Sequence, residues 1–386
     1  MSGSDGSSRT LYWSGVASLL MLAAASLVYY IGGYLQHALF IVFGLIYGYA
    51  IFRSRLCFAT ALYGNRELFK GILVSLLIAS FASYFVLRTG MNLPPATPIG
   101  PNVLIGSILF GMAMPFAGGC MSGTLFRVGG GMAKSVAALA GIMVGNAIGA
   151  GLLWRYVEPF VDIGRGVNIL ATLGPDLALA VNLGVILLLL YFVSGGGWFG
   201  ERRKSGTLAP PGGLPASPSA LARLMKADYW PAWLGGAVIA AVFAVQFALY
   251  SSLTIQLPLA RAVLWLLSPV LPPADNPWVA RFGLREPYDD PSLLLVLAFV
   301  VGSAFASVTS GSFACFSGAR RFDLAVGFLA GIWMGVAVWI AVGCNISGFW
   351  AATATLRPEG WLYALGLFVG ARIGLKLFER VMLSRV

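Results

Sequence analysis

The segment Gly111-Met-Ala-Met-Pro-Phe-Ala-Gly-Gly-Cys120-Met-Ser-Gly123 interrupts an apolar stretch that begins near residue 101. Proline and paired glycines disfavour a continuous helix, so this pattern predicts a helix that breaks just before Cys120. Broken backbone at membrane depth is tolerated only where protein covers it or where it lines a cavity. The segment therefore predicts a functional break inside a membrane-embedded fold.

The composition of the whole chain is that of a membrane protein. Of its 386 residues, 59% are hydrophobic and 10% are charged, and the mean hydropathy is +0.85. Ten apolar stretches approach the roughly 20 residues that cross a bilayer. They lie at about 11–31, 35–52, 67–88, 101–117, 132–154, 175–193, 232–250, 291–308, 322–342 and 360–378. We expect an all-α polytopic protein surrounded by membrane lipid, with about nine transmembrane helices plus short re-entrant helices.

The net charge of +11 is spread over helix ends, so it indicates topology and no nucleic-acid binding is expected. The basic, Gly/Pro/Ser-rich segment 194–231 contrasts with the acidic segment 272–291. The positive-inside rule places the first in the cytoplasm, together with both termini, in a bacterial inner (plasma) membrane. The predicted parts are an N-terminal membrane half, 1–193, a cytoplasmic basic linker, 194–231, and a C-terminal membrane half, 232–386.

The two membrane halves repeat one pattern around a cysteine. Cys120 and Cys344 each follow a glycine nine residues earlier. Further glycines recur at spacings of 18, 22 and 26 residues, at 141, 145 and 149 after Gly123 and at 366, 370 and 374 after Gly348. Such ladders predict close packing of helices in the bilayer. Because the charges that follow the two cysteines indicate opposite directions, we expect two inverted-repeat halves.

The other two cysteines share a fainter pattern. Cys57 and Cys315 each lie thirteen residues after a glycine, and an acidic residue with a glycine four positions later follows each of them. Every cysteine is thus expected at a helix break. A thiol adds a soft, polarizable contact and a weak S–H donor.

The small residues next to Cys120 and Cys344 predict an anion site. A serine just after the break can begin a short helix whose free backbone amides attract a negative charge. Two inverted modules would direct two such helix starts at one point. The predicted substrate-binding residues are Cys57, Cys120, Cys315, Cys344, Gly119, Ser122, Gly123, Gly343, Ser347 and Gly348.

A membrane thiol-disulfide redox protein that exchanges with a partner is the alternative, since paired cysteines can exchange disulfides. The nearest two along the chain, Cys315 and Cys344, are 29 residues apart. No CxxC accompanies them, and His37 is the sole histidine, so neither a metal nor another cofactor is expected. We also predict no enzymatic activity and no catalytic residue.

The motifs Gly111-x8-Cys120 and Gly335-x8-Cys344, with the Arg-Leu-Cys57-Phe segment, resemble the YeeE/YedE family of sulfur transport proteins. The resemblance implies an hourglass of inverted repeats that takes up thiosulfate or a related small sulfur-containing anion. It also implies a cysteine-lined constriction with Cys120 and Cys344 at its centre and Cys57 at an adjoining station. A cytoplasmic sulfur-carrier protein of the TusA type is the expected partner, and another sulfur or selenium species is the alternative substrate.

Overall fold

The computed structural model describes residues 4–90, 98–166, 169–195, 229–316 and 319–383, and it confirms the all-α class. The helices are α1 (Ser4–Ile31), α2 (Leu35–Ser54), α3 (Phe58–Leu62), α4 (Arg66–Arg88), α5 (Pro101–Ala117), α6 (Met121–Gly129), α7 (Ala133–Asn146), α8 (Trp154–Asp162), α9 (Ile169–Ser194), α10 (Ala232–Leu249), α11 (Gln256–Leu266), α12 (Pro277–Phe282), α13 (Pro291–Thr309), α14 (Arg321–Ala341), α15 (Ala352–Ala354) and α16 (Glu359–Leu383).

Five short elements complete the described chain. Two π-helical segments, Ala147–Leu153 and Asn345–Ala351, lie between α7 and α8 and before α15, and a 3-10 turn spans Pro273–Asp275. Two two-residue strands, β1 (Pro98–Ile99) and β2 (Arg165–Gly166), pair antiparallel. They tie the loop before α5 to the loop after α8, so they do not alter the helical class.

Nine segments of the described chain are long and apolar enough to cross a membrane, as the sequence predicts. They begin at Leu35, Arg66, Pro101, Ala133, Gly174, Ala232, Pro291, Arg321 and Glu359. The tenth predicted stretch, 11–31, lies within α1, Ser4–Ile31. The protein is therefore a multi-pass membrane protein. The predicted linker, 194–231, falls largely on 196–228, which lies outside the described residues.

Helices α5 and α14, which lead to Cys120 and Cys344, pack against each other. Each also packs along a second helix, α5 along α16 and α14 along α7. These two contacts hold the predicted glycine ladders. A Cβ at Gly141 would overlap the Phe328 carbonyl, and one at Gly370 would overlap the Ile108 carbonyl. The close packing is confirmed, whereas the inverted orientation of the two halves stays a prediction.

A third extensive contact joins α2 to α13 and carries the fainter repeat. Gly44 faces the Leu295 carbonyl, and Gly302 faces the Leu45 carbonyl, each without room for a Cβ. Helix α10 packs against both α4 and α2. The chain segment that contains Cys57 is thereby held against the rest of the bundle.

Candidate functional site

Three of the four cysteines occupy the same kind of backbone position. Each of these cysteines is the N-cap of a helical segment, and the residue two positions before it is the left-handed C-cap of the preceding helix. The C-caps and their cysteines are Arg55 with Cys57, Gly118 with Cys120, and Val342 with Cys344. The residue between the C-cap and the cysteine donates its backbone N–H to the carbonyl five residues earlier, which is the hydrogen bond of a Schellman motif. These bonds are Leu56 to Ile51 at 3.2 Å, Gly119 to Met114 at 3.0 Å and Gly343 to Val338 at 2.9 Å. The motif places each thiol in a helix break.

Cys57 and Cys120 form a buried pair. Their sulfur atoms lie 3.8 Å apart, and their exposed fractions are 1% and 0%. The Gly123 N–H donates to the Cys120 sulfur at 3.4 Å, and the Ser122 hydroxyl lies 3.4 Å from the same sulfur. A Cβ at Gly123 would come within 2.8 Å of the Cys57 sulfur, so only glycine leaves this space between the two thiols.

Cys344 is the centre of a second buried group. Its N–H donates to the Ser347 hydroxyl at 3.1 Å, and that hydroxyl lies 3.6 Å from the Cys344 sulfur. Ser347 also donates to Gln256 at 2.8 Å, and Gln256 begins α11. Gly343 and Gly348 stand so close that a Cβ at Gly343 would be 2.8 Å from the Gly348 Cα. The serine therefore contacts the thiol and the two glycines pack together beside it, while the predicted contact of all three with substrate stays a prediction.

The structure does not bring Cys315 into either buried group. Cys315 is exposed and itself has a left-handed φ of 50°. Its neighbours Ala314 and Phe316 donate backbone hydrogen bonds to Gly130 and Gly131, in the turn between α6 and α7. Its predicted contact with substrate stays a prediction.

A small cavity of about 30 Å³ adjoins the Cys344 group. Ser347, Gly348, Arg357, Glu359 and Tyr363 are among its lining residues. Arg357 pairs with Glu359 at 3.3 Å, so the two charges offset each other where they meet the cavity. A space of this size holds a water-sized group beside the residues that surround Cys344.

A larger pocket of about 440 Å³ lies beside the start of α3. Arg55, Glu67 and Arg127 are among its lining residues. Glu67 pairs with Lys70 at 3.1 Å, so the two arginines leave the pocket basic. Arg127 also donates to the Gly118 carbonyl, which anchors it at the break that precedes Cys120.

Several residues near the thiols were missed as site residues by sequence reasoning. Arg127 is seven positions after Cys120, two turns along the same helix face, and that spacing was the available signal. Tyr63, Asn345 and Tyr363 have buried polar side-chain atoms without a hydrogen-bond partner among the described residues. The sequence around these three residues does not indicate that their polar atoms lack a partner, because that depends on how helices distant in sequence pack together.

The described residues contain no group of three or more His, Cys, Asp or Glu side chains arranged to hold a metal ion. These residues place three buried thiols at helix breaks inside a multi-pass helical bundle. A small cavity lies beside Cys344, and a basic pocket lies beside the Cys57–Cys120 pair. Buried soft sulfur contacts with flanking polar and cationic groups suit a membrane protein that handles small anions.

Comparison with known proteins identifies the class more closely. The sulphur transport family matches residues 53–373, and the chain belongs to that family. The match covers both buried cysteine groups and the segment between the two halves.

Individual relatives agree with this assignment. The thiosulfate transporter TsuA of Escherichia coli is 24% identical over 344 residues, which are 86% of this chain and 91% of TsuA. The probable transporter YedE of Escherichia coli is 27% identical over 163 residues, and that alignment spans 40% of this chain and 39% of YedE. The TsuA of Spirochaeta thermophila is 33% identical over 97 residues, 23% of this chain and 29% of that protein. The fold, the family and these relatives define a sulfur transport protein of the membrane.

Proposed function

We propose that this protein takes up thiosulfate, or a closely related small sulfur-containing anion, through a constriction lined by Cys344, Cys120 and Cys57. The observation that carries the proposal is the shared backbone motif, which places these three thiols, and not Cys315, in buried helix breaks. Full-length similarity to a thiosulfate transporter supports the same substrate.

The proposed path runs from the small cavity to the basic pocket. The anion enters beside Arg357 and Tyr363, meets Cys344, passes to Cys120 and Cys57, and leaves past Arg127 and Arg55. At each thiol the S–H group donates weakly to the anion's sulfur, and the small residues Gly119, Gly123, Gly343 and Gly348 let it approach the backbone. Several weak stations favour throughput, since one tight site would trap the ion.

The proposal includes an orientation in the bacterial inner membrane. The basic pocket faces the cytoplasm, as do both termini and the linker 194–231, and the cavity at Arg357 faces outward. The protein acts as a transporter and not as an enzyme. A cytoplasmic sulfur-carrier protein of the TusA type then receives the anion on the side of the basic pocket.

A growth experiment tests the proposed function. Cells that lack other thiosulfate uptake systems are given the gene and grown with thiosulfate as sole sulfur source. We expect growth that depends on the gene, normal growth on cysteine, and no growth on thiosulfate with Cys120→Ala at equal membrane abundance. Growth of the Cys120→Ala strain equal to that of the wild type would contradict the cysteine-lined path.

One observation favours the redox alternative as a second candidate. The 3.8 Å between the Cys57 and Cys120 sulfurs makes them a close thiol pair, which the sequence separation had not suggested. A partner's thiol would have to reach sulfurs that are at most 1% exposed. Trapping of a mixed disulfide in the Cys57→Ser or Cys120→Ser variant distinguishes the redox protein from the transporter, because only a redox protein forms a mixed disulfide with a partner.

A further inference from the structure

Two tyrosine hydroxyls beside the thiols are buried and have no hydrogen-bond partner among the described residues. They belong to Tyr63 and Tyr363. A buried hydroxyl without a partner costs free energy, so such groups in a folded protein require an explanation. Tyr47 shows the usual arrangement, since it is fully buried and donates to Gln246 at 3.0 Å.

Tyr363 stands at the Cys344 group. It lies in α16, is 0% exposed, and its ring packs on Gly348 so tightly that a Cβ there would be 2.7 Å from the ring. The Gly348 N–H in turn donates to the Cys344 carbonyl at 2.6 Å. Tyr363 also lines the small cavity beside the Cys344 group. Tyr363 therefore brings an unused buried donor to the residues around Cys344.

Tyr63 stands at the Cys57–Cys120 pair. It is the C-cap of α3, the five-residue helix that Cys57 begins, so one short helix carries both the thiol and the phenol. The Tyr63 hydroxyl is buried, and Tyr63 packs against the core that contains Cys57 and Cys120. Each buried thiol group is thus joined to one tyrosine with an unpartnered hydroxyl, the Cys344 group through the contact of Tyr363 with Gly348 and the Cys57–Cys120 pair through α3.

We propose that the Tyr63 and Tyr363 hydroxyls donate hydrogen bonds to the oxygen atoms of the passing anion while the thiols contact its sulfur. Hydrogen bonds to an ionised acceptor are stronger than neutral ones, and a phenol donates without adding charge. The substrate class that fits both kinds of contact is an anion with a terminal sulfur at one end and sulfonate-like oxygens at the other. This inference rests on the proposed transport function and names the side chains that select the substrate.

The test measures uptake of radiolabelled thiosulfate by purified protein in liposomes. Tyr63→Phe and Tyr363→Phe keep the ring and remove only the hydroxyl. We expect each to raise KM for thiosulfate by about tenfold or more, because a donor to a charged group is lost. The melting temperature should be unchanged or raised, because an unpaired buried hydroxyl is removed. The matched control Tyr47→Phe breaks a buried hydrogen bond and should lower the melting temperature while leaving KM within twofold.

The outcomes separate this inference from the function on which it rests. Saturable wild-type uptake with a raised KM and intact melting temperature in both tyrosine variants supports it. Saturable wild-type uptake with an unchanged KM in both variants overturns the tyrosine assignment alone, as does a raised KM accompanied by a lowered melting temperature. No saturable uptake by the wild type overturns the transport proposal and this inference together.

Discussion

Cys57 and Cys120 are 63 positions apart in sequence. Each lies at its own helix break, and their sulfurs are 3.8 Å apart. Gly123 keeps that space open because any side chain there would meet both sulfurs. A disulfide requires a separation of about 2.05 Å between sulfurs, so a small local shift would join them.

Oxidation should therefore join this pair and block uptake. We expect diamide, which takes two hydrogens from two thiols as they join, to form a Cys57–Cys120 disulfide detectable by mass spectrometry of unreduced peptides. Thiosulfate uptake should fall with disulfide formation and recover with a reducing agent. The same treatment of Cys57→Ala should leave no such disulfide, and failure of the wild type to crosslink would contradict the observed pairing.

The sequence predicted the surroundings of Cys120 and Cys344 better than those of Cys315. Paired small residues next to a cysteine directly indicate a helix break, whereas the pattern shared by Cys57 and Cys315 rests on glycines thirteen residues away. Those glycines, Gly44 and Gly302, lie at the contact between α2 and α13. Their spacing therefore reports helix packing and not the position of a thiol, which is why Cys315 could match the pattern and still be exposed.

At the scale of the elements, the helices that pack together at glycines position the residues of the site. Helices α5 and α14 end at the breaks before Cys120 and Cys344, and their positions depend on contacts with α16 and α7. Lipid is as apolar as the helix surfaces, so close backbone approach supplies much of the attraction between them.

A methyl group at one of these crossings should be costly. Gly370→Ala places a Cβ against the Ile108 carbonyl and should destabilise the protein by about 1–3 kcal/mol, as overpacking does. The control is Gly184→Ala in α9, where no atom lies within 4 Å of the new Cβ. Thermal unfolding in detergent measures both, and equal melting temperatures for the two variants would contradict the packing.

Element boundaries were partly predictable for physical reasons. Hydropathy sets helix length in a bilayer, so the apolar stretches matched the nine spans. The left-handed caps at Arg55 and Val342 could not be predicted from the sequence, because neither residue type favours that conformation. The cap at Gly118 could be predicted, since glycine adopts that conformation without strain.

Across the whole molecule, helices α11 and α12 support the site around Cys344. Gln256 of α11 accepts from Ser347 next to Cys344, and Trp278 of α12 packs edge-on against Trp339 of α14 at 5.0 Å. Arg281 pairs with Glu158 at 3.2 Å and Asp162 at 3.0 Å, which ties α12 to α8. Sequence pattern could not reveal these contacts, because they join segments that share no repeat.

The orientation of the molecule can be tested by labelling. Single cysteines are placed at Asp275 and at Lys204 in a chain whose Cys315 is alanine, and intact spheroplasts are treated with a membrane-impermeant maleimide. The positive-inside rule predicts labelling at 275 in intact cells and at 204 only after lysis. The reverse pattern would contradict the cytoplasmic placement of the linker.

The most direct test of the cysteine-lined path is uptake of radiolabelled thiosulfate into liposomes that contain the purified protein, compared across single alanine substitutions of the four cysteines. We expect saturable wild-type uptake, a loss of about tenfold or more for Cys57→Ala, Cys120→Ala and Cys344→Ala, and uptake within twofold of wild type for the exposed Cys315→Ala. Uptake by Cys120→Ala and Cys344→Ala equal to that of the wild type, with intact folding, would contradict the account.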